Sequence, residues 1–248
     1  MLKIGVLVKS VLDTEAKLIS ENGALKIVSG KIVCNPFDEF AIEESIRIKE
    51  KLGANVTAVS LNSTGREDEL RYAMAMGVDN SVLIKTDRDI VSPLKRAKVI
   101  YDVIKGEKFD LIISGREAID DNFSATSQIL ANLLGYNVIS EVIEERVEGD
   151  KIIAKRVLEE SEETYELNLP AIITVRKGIN NPRYPTLPNV MKSKKMPLKK
   201  IEVNVKGDDL SIYYEDKPQK SGAKILNGTY EEIADQLIAI MKNEFHVI

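Results

Sequence analysis

Short apolar runs rich in β-branched residues recur along the first 175 residues and alternate with stretches of helical periodicity. The runs lie at 2–8 (LKIGVLV), 55–61 (NVTAVSL), 81–84 (SVLI), 109–113 (FDLII) and 171–175 (AIITV). Their lack of polar alternation predicts strands buried on both faces, as in a parallel sheet covered by helices. Between them, residues 38–52 place Phe40, Ile42, Ile46, Ile48 and Leu52 near one stripe, with Gly53 as the stop. Further helices are predicted at 66–76 before Gly77, at 92–105 behind a Ser92-Pro93 start signal, and at 124–134 before Gly135. This alternation predicts an α/β fold: a doubly wound, mostly parallel sheet of Rossmann-like, nucleotide-binding type.

The pattern changes near residue 140. Residues 141–168 alternate apolar and charged positions around a Gly149-Asp150 turn, which predicts an antiparallel hairpin or meander added to the main sheet. Residues 177–200 hold four prolines and a lysine cluster, and are expected to form a long irregular segment. From 201 to 228 the chain is polar and strand-poor, and a final amphipathic helix is predicted at about 229–243 with Thr229 as its N-cap. The expected organisation is an α/β domain over 1–200, including the 177–200 loop, and an arm plus helix over 201–248 shaped to pack on another chain.

Composition narrows the function. Aromatic residues make up 5% with no Trp, which argues against a carbohydrate site or a base-stacking surface. The formal net charge of −4, with no basic region, excludes a nucleic-acid backbone binder. A single cysteine, Cys34, cannot make an internal disulfide or a cysteine metal site, and a lone histidine, His246, leaves no material for a Ser-His-Asp or Cys-His arrangement. No catalytic residue and no metal site is assigned. The apolar run between Lys3 and Lys9 is too short for a signal-peptide core, and no run reaches membrane-spanning length, so a cytoplasmic protein without membrane insertion is expected.

Three segments carry chemistry. Asn35, Pro36, Phe37 and Asp38 open the first helix, whose free N–H groups suit an anion or nucleotide; alone, the segment reads equally as an ordinary helix start. Residues 114–128 follow a strand and lead into a helix, where ligands of open α/β sheets bind. Here Gly115 permits close backbone approach, and Ser124, Thr126 and Ser127 offer hydroxyls. Asp120 and Asp121 suit loop ordering or ribose hydroxyls better than phosphate. Neither Gly-x-Gly-x-x-Gly nor a P-loop is present, and the Ser-Gly-Gly-x-Asp-Ser loop of ATP pyrophosphatases is absent. The third segment, 181–195, presents Leu187 on a proline-stiffened loop beside Lys192, Lys194 and Lys195, the make-up of a protein-docking device or of a solvated linker.

Taken together the chain resembles the β subunit of electron transfer flavoproteins over nearly its whole length. The resemblance rests on Val6-Leu7-Val8-Lys9, Asn35-Pro36-Phe37-Asp38-Glu39, Leu70-Arg71-Tyr72-Ala73-Met74-Ala75-Met76-Gly77-Val78-Asp79, Ala118-Ile119-Asp120-Asp121, Leu169-Pro170-Ala171, and Pro182-Arg183-Tyr184 through Met191-Lys192. It implies a non-enzymatic electron carrier, heterodimeric with an α subunit that makes most contacts to a redox-active FAD. It also implies AMP in the β pocket, held by Leu7, Asn35, Pro36, Phe37, Asp38, Leu61, Gly115, Ile119, Asp120, Asp121, Asn122, Phe123, Ser124, Ala125, Thr126, Ser127 and Gln128. Phe37 would also approach the flavin from the β side. Tyr184, Leu187, Pro188, Met191 and Lys192 match the recognition loop that inserts a leucine into flavin dehydrogenases such as acyl-CoA dehydrogenases. Bifurcating relatives carry a second FAD in the β pocket. Asp121, Thr126 and Gln128 are closer to the AMP type, whereas Thr14 after Asp13 leans the other way, and Asn122, Phe123, Ala125 and Ser127 depart from both patterns. Outside the family, the alternatives are a stand-alone nucleotide-binding stress-type protein, which the long loop and arm oppose, and a hydrolase holding Mg²⁺ on Asp120 and Asp121.

Overall fold

The computed structural model describes all residues except 208, 209, 211, 212, 214, 216–221 and 248. The chain divides into two compact units, Met1–Tyr214 and Glu215–Ile248.

In the first unit the chain runs β1 (Lys3–Val8), β2 (Ser10–Leu12), β3 (Lys17–Glu21), β4 (Ala24–Ser29), β5 (Ile32–Cys34), α1 (Pro36–Leu52), β6 (Asn55–Asn62), α2 (Asp68–Met76), β7 (Asn80–Thr86), α3 (Pro93–Ile104), β8 (Leu111–Gly115) and α4 (Thr126–Leu134). It continues through β9 (Asn137–Glu148), β10 (Lys151–Val157), β11 (Glu162–Asn168), β12 (Ala171–Val175), α5 (Leu187–Ser193) and β13 (Lys199–Val203). A nine-stranded sheet has the order β11-β10-β9-β12-β8-β1-β6-β7-β13. Strands β12, β8, β1, β6, β7 and β13 pair in parallel, β9 joins β12 in parallel, and β10 and β11 add an antiparallel meander. The expected α/β architecture is therefore present.

The central strands β1, β8 and β12 are buried over nearly their whole length because both faces are covered. On one face α1 and α2 bury Ile42, Ile46, Leu70, Ala73 and Met76 against Ile4, Val6, Val56, Leu111 and Ile113. On the other, α3 and α4 bury Ala97, Ile100, Ile104, Leu130 and Ala131 against Val59, Val82, Ile84, Ile112 and Ile172. Leu52, placed on the apolar stripe by periodicity, is exposed in the last turn of α1.

Several expectations need correcting. Residues 177–200 are not irregular throughout. They contain α5, with Pro at its first turn, and the start of β13, an edge strand parallel to β7 in a stretch that looked strand-poor. The 109–113 run supplies β8 two residues later; Asp110, just before it, donates its N–H to the Lys3 carbonyl at 2.9 Å, accepts Ala171 N–H on its carbonyl at 3.1 Å, and accepts Lys3 N–H on its side chain at 2.8 Å. The helix expected from 124 begins at Thr126, since Ser124 takes a positive φ of 50°. Residues 10–34, for which no element was expected, form the pair β2–β5 and the hairpin β3–β4.

The second unit holds α6 (Tyr230–Asn243). Thr229 caps it in a reciprocal capping box with Glu232, and none of its residues is buried. Part of the arm expected over 201–248 falls on 208–221, where 208, 209, 211, 212, 214 and 216–221 lie outside the described residues.

Candidate nucleotide site and docking segment

Strand order explains where a ligand would sit. From β1 the chain moves by α1 to β6 and by α2 to β7, then crosses back by α3 to β8 on the opposite side of β1. The sheet reverses its winding between β1 and β8, and crevices at the carboxyl ends of such strands are where open α/β sheets bind ligands. The structure gathers Leu7, residues 35–38, Leu61 and the 115–128 loop at this edge. Leu7 and Leu61 approach the carboxyl ends of β1 and β6 and pack with one apolar cluster, Asn35 to Asp38 start α1, and the loop joins β8 to α4.

The edge is pinned by two buried polar side chains. Asp38 accepts Lys9 N–H at 2.8 Å through one carboxylate oxygen and Gly115 N–H at 3.1 Å through the other, so it clamps the ends of β1 and β8 to the helix start. Burial pushes its pKa up to about 7, against the pull of these bonds and of Asn35. Asn35 donates its amide to the Glu117 carbonyl at 2.8 Å and accepts Ile119 N–H at 3.3 Å, fixing the loop from the other side. Both side chains thus position backbone. Gly115 is required for the same reason: a Cβ there would come within 2.7 Å of Phe37 Cβ and 2.8 Å of its carbonyl carbon. The close approach foreseen at Gly115 is made by the α1 start. Arg116 stacks its guanidinium 5.0 Å from the centre of the Phe37 ring and pairs with Glu117 at 2.6 Å.

The acidic pair is neutralised internally. Lys9 Nζ bridges Asp120 at 2.7 Å and Asp121 at 2.9 Å, and Arg96 of α3 also pairs with Asp121. Burial alone would raise the Asp121 pKa, but Lys9 and Arg96 outweigh it and hold the carboxyl below its usual range. Asn122 N–H returns to the Ala118 carbonyl at 2.9 Å and Phe123 N–H to Asp121 at 3.2 Å. With Asn122 and Ser124 both at φ near +50°, the loop is tightly wound, and the Ser124 hydroxyl is turned to Glu117 at 3.3 Å.

Beyond it, α4 opens with Ala125 at its N-cap, a residue that cannot cap, so the first-turn N–H groups of Thr126, Ser127 and Gln128 receive no side-chain cap. The Ser127 and Ser114 hydroxyls lie 2.7 Å apart and tie the helix start to the end of β8. Gln128 donates to Ser140 at 3.1 Å, leaving its buried Oε1 without a partner. An uncapped helix start at a switch point, with a buried orphan acceptor beside it, fits a phosphate-bearing nucleotide with donor groups of its own. Sequence reasoning missed Arg96 and Ser140. Lys9 was noticed only as part of a motif, though a lysine one residue past the first strand of a switch-point sheet was the available signal.

The residues expected to dock a partner form a separate region. Tyr184 is 91% exposed, Leu187 75% and Met191 54%, and Pro188 and Lys192 are exposed too. Their base is rigid. Arg183 forks onto Glu43 (2.8 and 3.0 Å) and Glu50 (2.6 and 3.0 Å) of α1, and Asn180 donates to the Phe40 carbonyl at 2.9 Å and Glu44 at 2.7 Å. Arg71 of α2 donates to the Ser193 carbonyl at 2.7 Å and the Met196 carbonyl at 2.6 Å, closing the C-terminal end of α5. Beside this base, Glu145 of β9 has its pKa raised to about 8 by burial and by neighbouring Glu44. Among the described residues no His, Cys, Asp or Glu group could hold a metal, and no helix is long and apolar enough to cross a membrane.

A family model described as "Electron transfer flavoprotein domain" matches residues 26–206. The chain is 37% identical to "Electron transfer flavoprotein subunit beta" of Bacillus subtilis (strain 168), covering 98% of each chain. It is 36% identical to the Homo sapiens protein of the same name, over 97% of each. It is 35% identical to "Electron transfer flavoprotein subunit beta, mitochondrial" of Arabidopsis thaliana, over the full length of both.

Proposed function

The chain belongs to the electron transfer flavoprotein family as a β subunit, and from that premise we propose that it binds AMP at the β1–β8 switch point and docks dehydrogenases through Leu187. The subunit name implies an α-subunit partner. In this reading α holds most of a FAD, whose isoalloxazine supplies the redox chemistry. The residues of this chain bind, orient and dock, and none makes or breaks a bond in a substrate. The carrier works in the cytoplasm, and residues 201–248 pack on α, which supplies the cover that α6 lacks.

The observation that carries the AMP assignment is the Lys9–Asp120–Asp121–Arg96 cluster beside the uncapped start of α4. Thr126, Ser127 and Gln128 can receive one phosphate on their N–H groups. The cations that a second phosphate would need are spent on the two aspartates, and the wound loop takes up room. Asn35, Asp38 and Gly115 hold the pocket walls, and Leu7 and Leu61 supply apolar surface for the adenine. The Phe37 ring, braced by Arg116, is the β-side neighbour of the flavin.

For docking, an apolar tip on a braced base with lysines around it has the anatomy of an interface anchor. The test is to purify the chain with its α subunit, denature the complex and quantify released nucleotides. One FAD and one AMP per heterodimer are expected. Two FAD and no AMP would replace the reading by a bifurcating-type subunit.

A further inference from the structure

The β3–β4 hairpin is exposed on both faces, and one of them gathers three of its large apolar side chains. Strand pairing sets Leu18 opposite Ile27 and Ser20 opposite Leu25. Opposed and alternate positions share a face, so Leu18, Leu25 and Ile27 lie together. The other face sets Ile19 opposite Lys26 and Glu21 opposite Ala24, with Lys26 and Glu21 ion-paired at 2.8 Å. On the ion-paired face Ile19 is 45% exposed but stands beside Lys26 and Glu21, whereas Leu18, Leu25 and Ile27, at 45%, 39% and 52%, form a contiguous exposed apolar patch. A lone two-stranded ribbon is marginal in water and needs a surface to pack on.

The structure also indicates which surface. The hairpin turns at Asn22 and Gly23, both with positive φ. A Cβ at Gly23 would collide with the ring of Tyr213, so the chain entering the C-terminal arm lies against the hairpin turn. Hairpin and arm start are continuous surface, and the arm is the segment assigned above to the α subunit. We infer that the Leu18–Leu25–Ile27 face is a docking surface for the α subunit, seated beside the arm at Tyr213. This rests on the heterodimer reading and adds a second, N-terminal anchor to it.

The experiment uses the full chain co-purified with α and a dilution series by sedimentation velocity. A triple substitution Leu18→Ser, Leu25→Ser, Ile27→Ser is expected to raise the heterodimer dissociation constant at least about 100-fold. Ile19→Ser, on the ion-paired face, is expected to stay within about twofold. Should the triple variant fold poorly, hydrogen exchange on the wild type decides: amides of 17–29 should be protected in the heterodimer relative to the free chain. Equal pairing by wild type and triple variant, or no protection of 17–29, overturns this inference alone. Self-association of the free chain that the triple variant abolishes overturns it in favour of a second copy. A wild-type chain that does not pair with α removes the heterodimer reading and this inference with it.

Discussion

The 115–128 loop and the 177–196 segment both follow a strand of the same sheet, yet they are built in opposite ways. The first is held along its length. Asn35, Asp38, Lys9 and Arg96 bind its backbone or carboxylates, and apart from the half-exposed Phe123 ring what it leaves free is small and polar: a row of N–H groups and one buried amide oxygen. The second is held only at its base, by Glu43, Glu50, Glu44 and Arg71, and leaves large apolar tips in solvent. A small anionic ligand gains affinity from donors that pay no ordering cost on binding. A protein partner gains it from apolar area delivered on a rigid stalk. In the proposed reading, the ligand site and the partner-docking site are separate constructions.

Substitutions can break that division. The largest effect is expected for Asp38→Ala, which strands two backbone N–H groups and unclamps β1, β8 and α1. A stability loss of about 2–4 kcal/mol, read by urea unfolding, should come with loss of bound nucleotide. The docking base is anchored on other residues, so protease protection of 177–196 should survive; loss of both together would show that the regions are not independent. Next is Leu187→Ala. Electron transfer from a dehydrogenase should slow roughly tenfold, as removal of an anchor worth about 1–2 kcal/mol implies, with nucleotide content and α pairing unchanged. Unaltered stopped-flow kinetics would remove Leu187 from docking.

The smallest effect concerns the base itself. In the folded state Glu145 keeps its proton up to about pH 8, whereas the unfolded carboxyl loses it near its ordinary value of 4.5. The folded protein therefore holds the extra proton between these values, and stability falls as pH rises through that window. Glu145→Gln does not titrate. From pH 6 to pH 9 the wild-type melting temperature should fall relative to the variant, by roughly 2–4 °C for each kcal/mol lost. Parallel pH profiles would place the Glu145 proton elsewhere.

Much of the frame was legible from local signals. Continuous apolar runs marked β1, β6, β7 and β12 because strands covered on both faces tolerate no polar alternation. Gly53, Gly77 and Gly135 marked helix ends because each takes a backbone conformation other residues avoid. The alternating meander was readable from residue 141 with its turn at Gly149. Elements set by distant partners were not. Helix α5 lies in a proline-rich stretch and is completed by Arg71, about 120 residues earlier in the chain, and β13 exists because β7 offers an edge. The hairpin at 17–29 carried alternation too short to stand out.

The candidate site divides the same way. Sequence alone determined the fold class, the helix start at 35–38, the loop after the β8 strand and the exposed leucine of the 177–196 segment, because each is written in neighbouring residues. Only the tertiary structure decided that Asp38 serves the backbone, that Gly115 makes room for Phe37, and that Asp120 and Asp121 are neutralised by Lys9 and Arg96. Those facts depend on groups 25 to 112 residues apart, and the winding reversal between β1 and β8 alone brings them within hydrogen-bonding reach. Local preference follows from covalent neighbours, whereas charge pairing and close packing depend on distance in space, which the chain acquires only on folding.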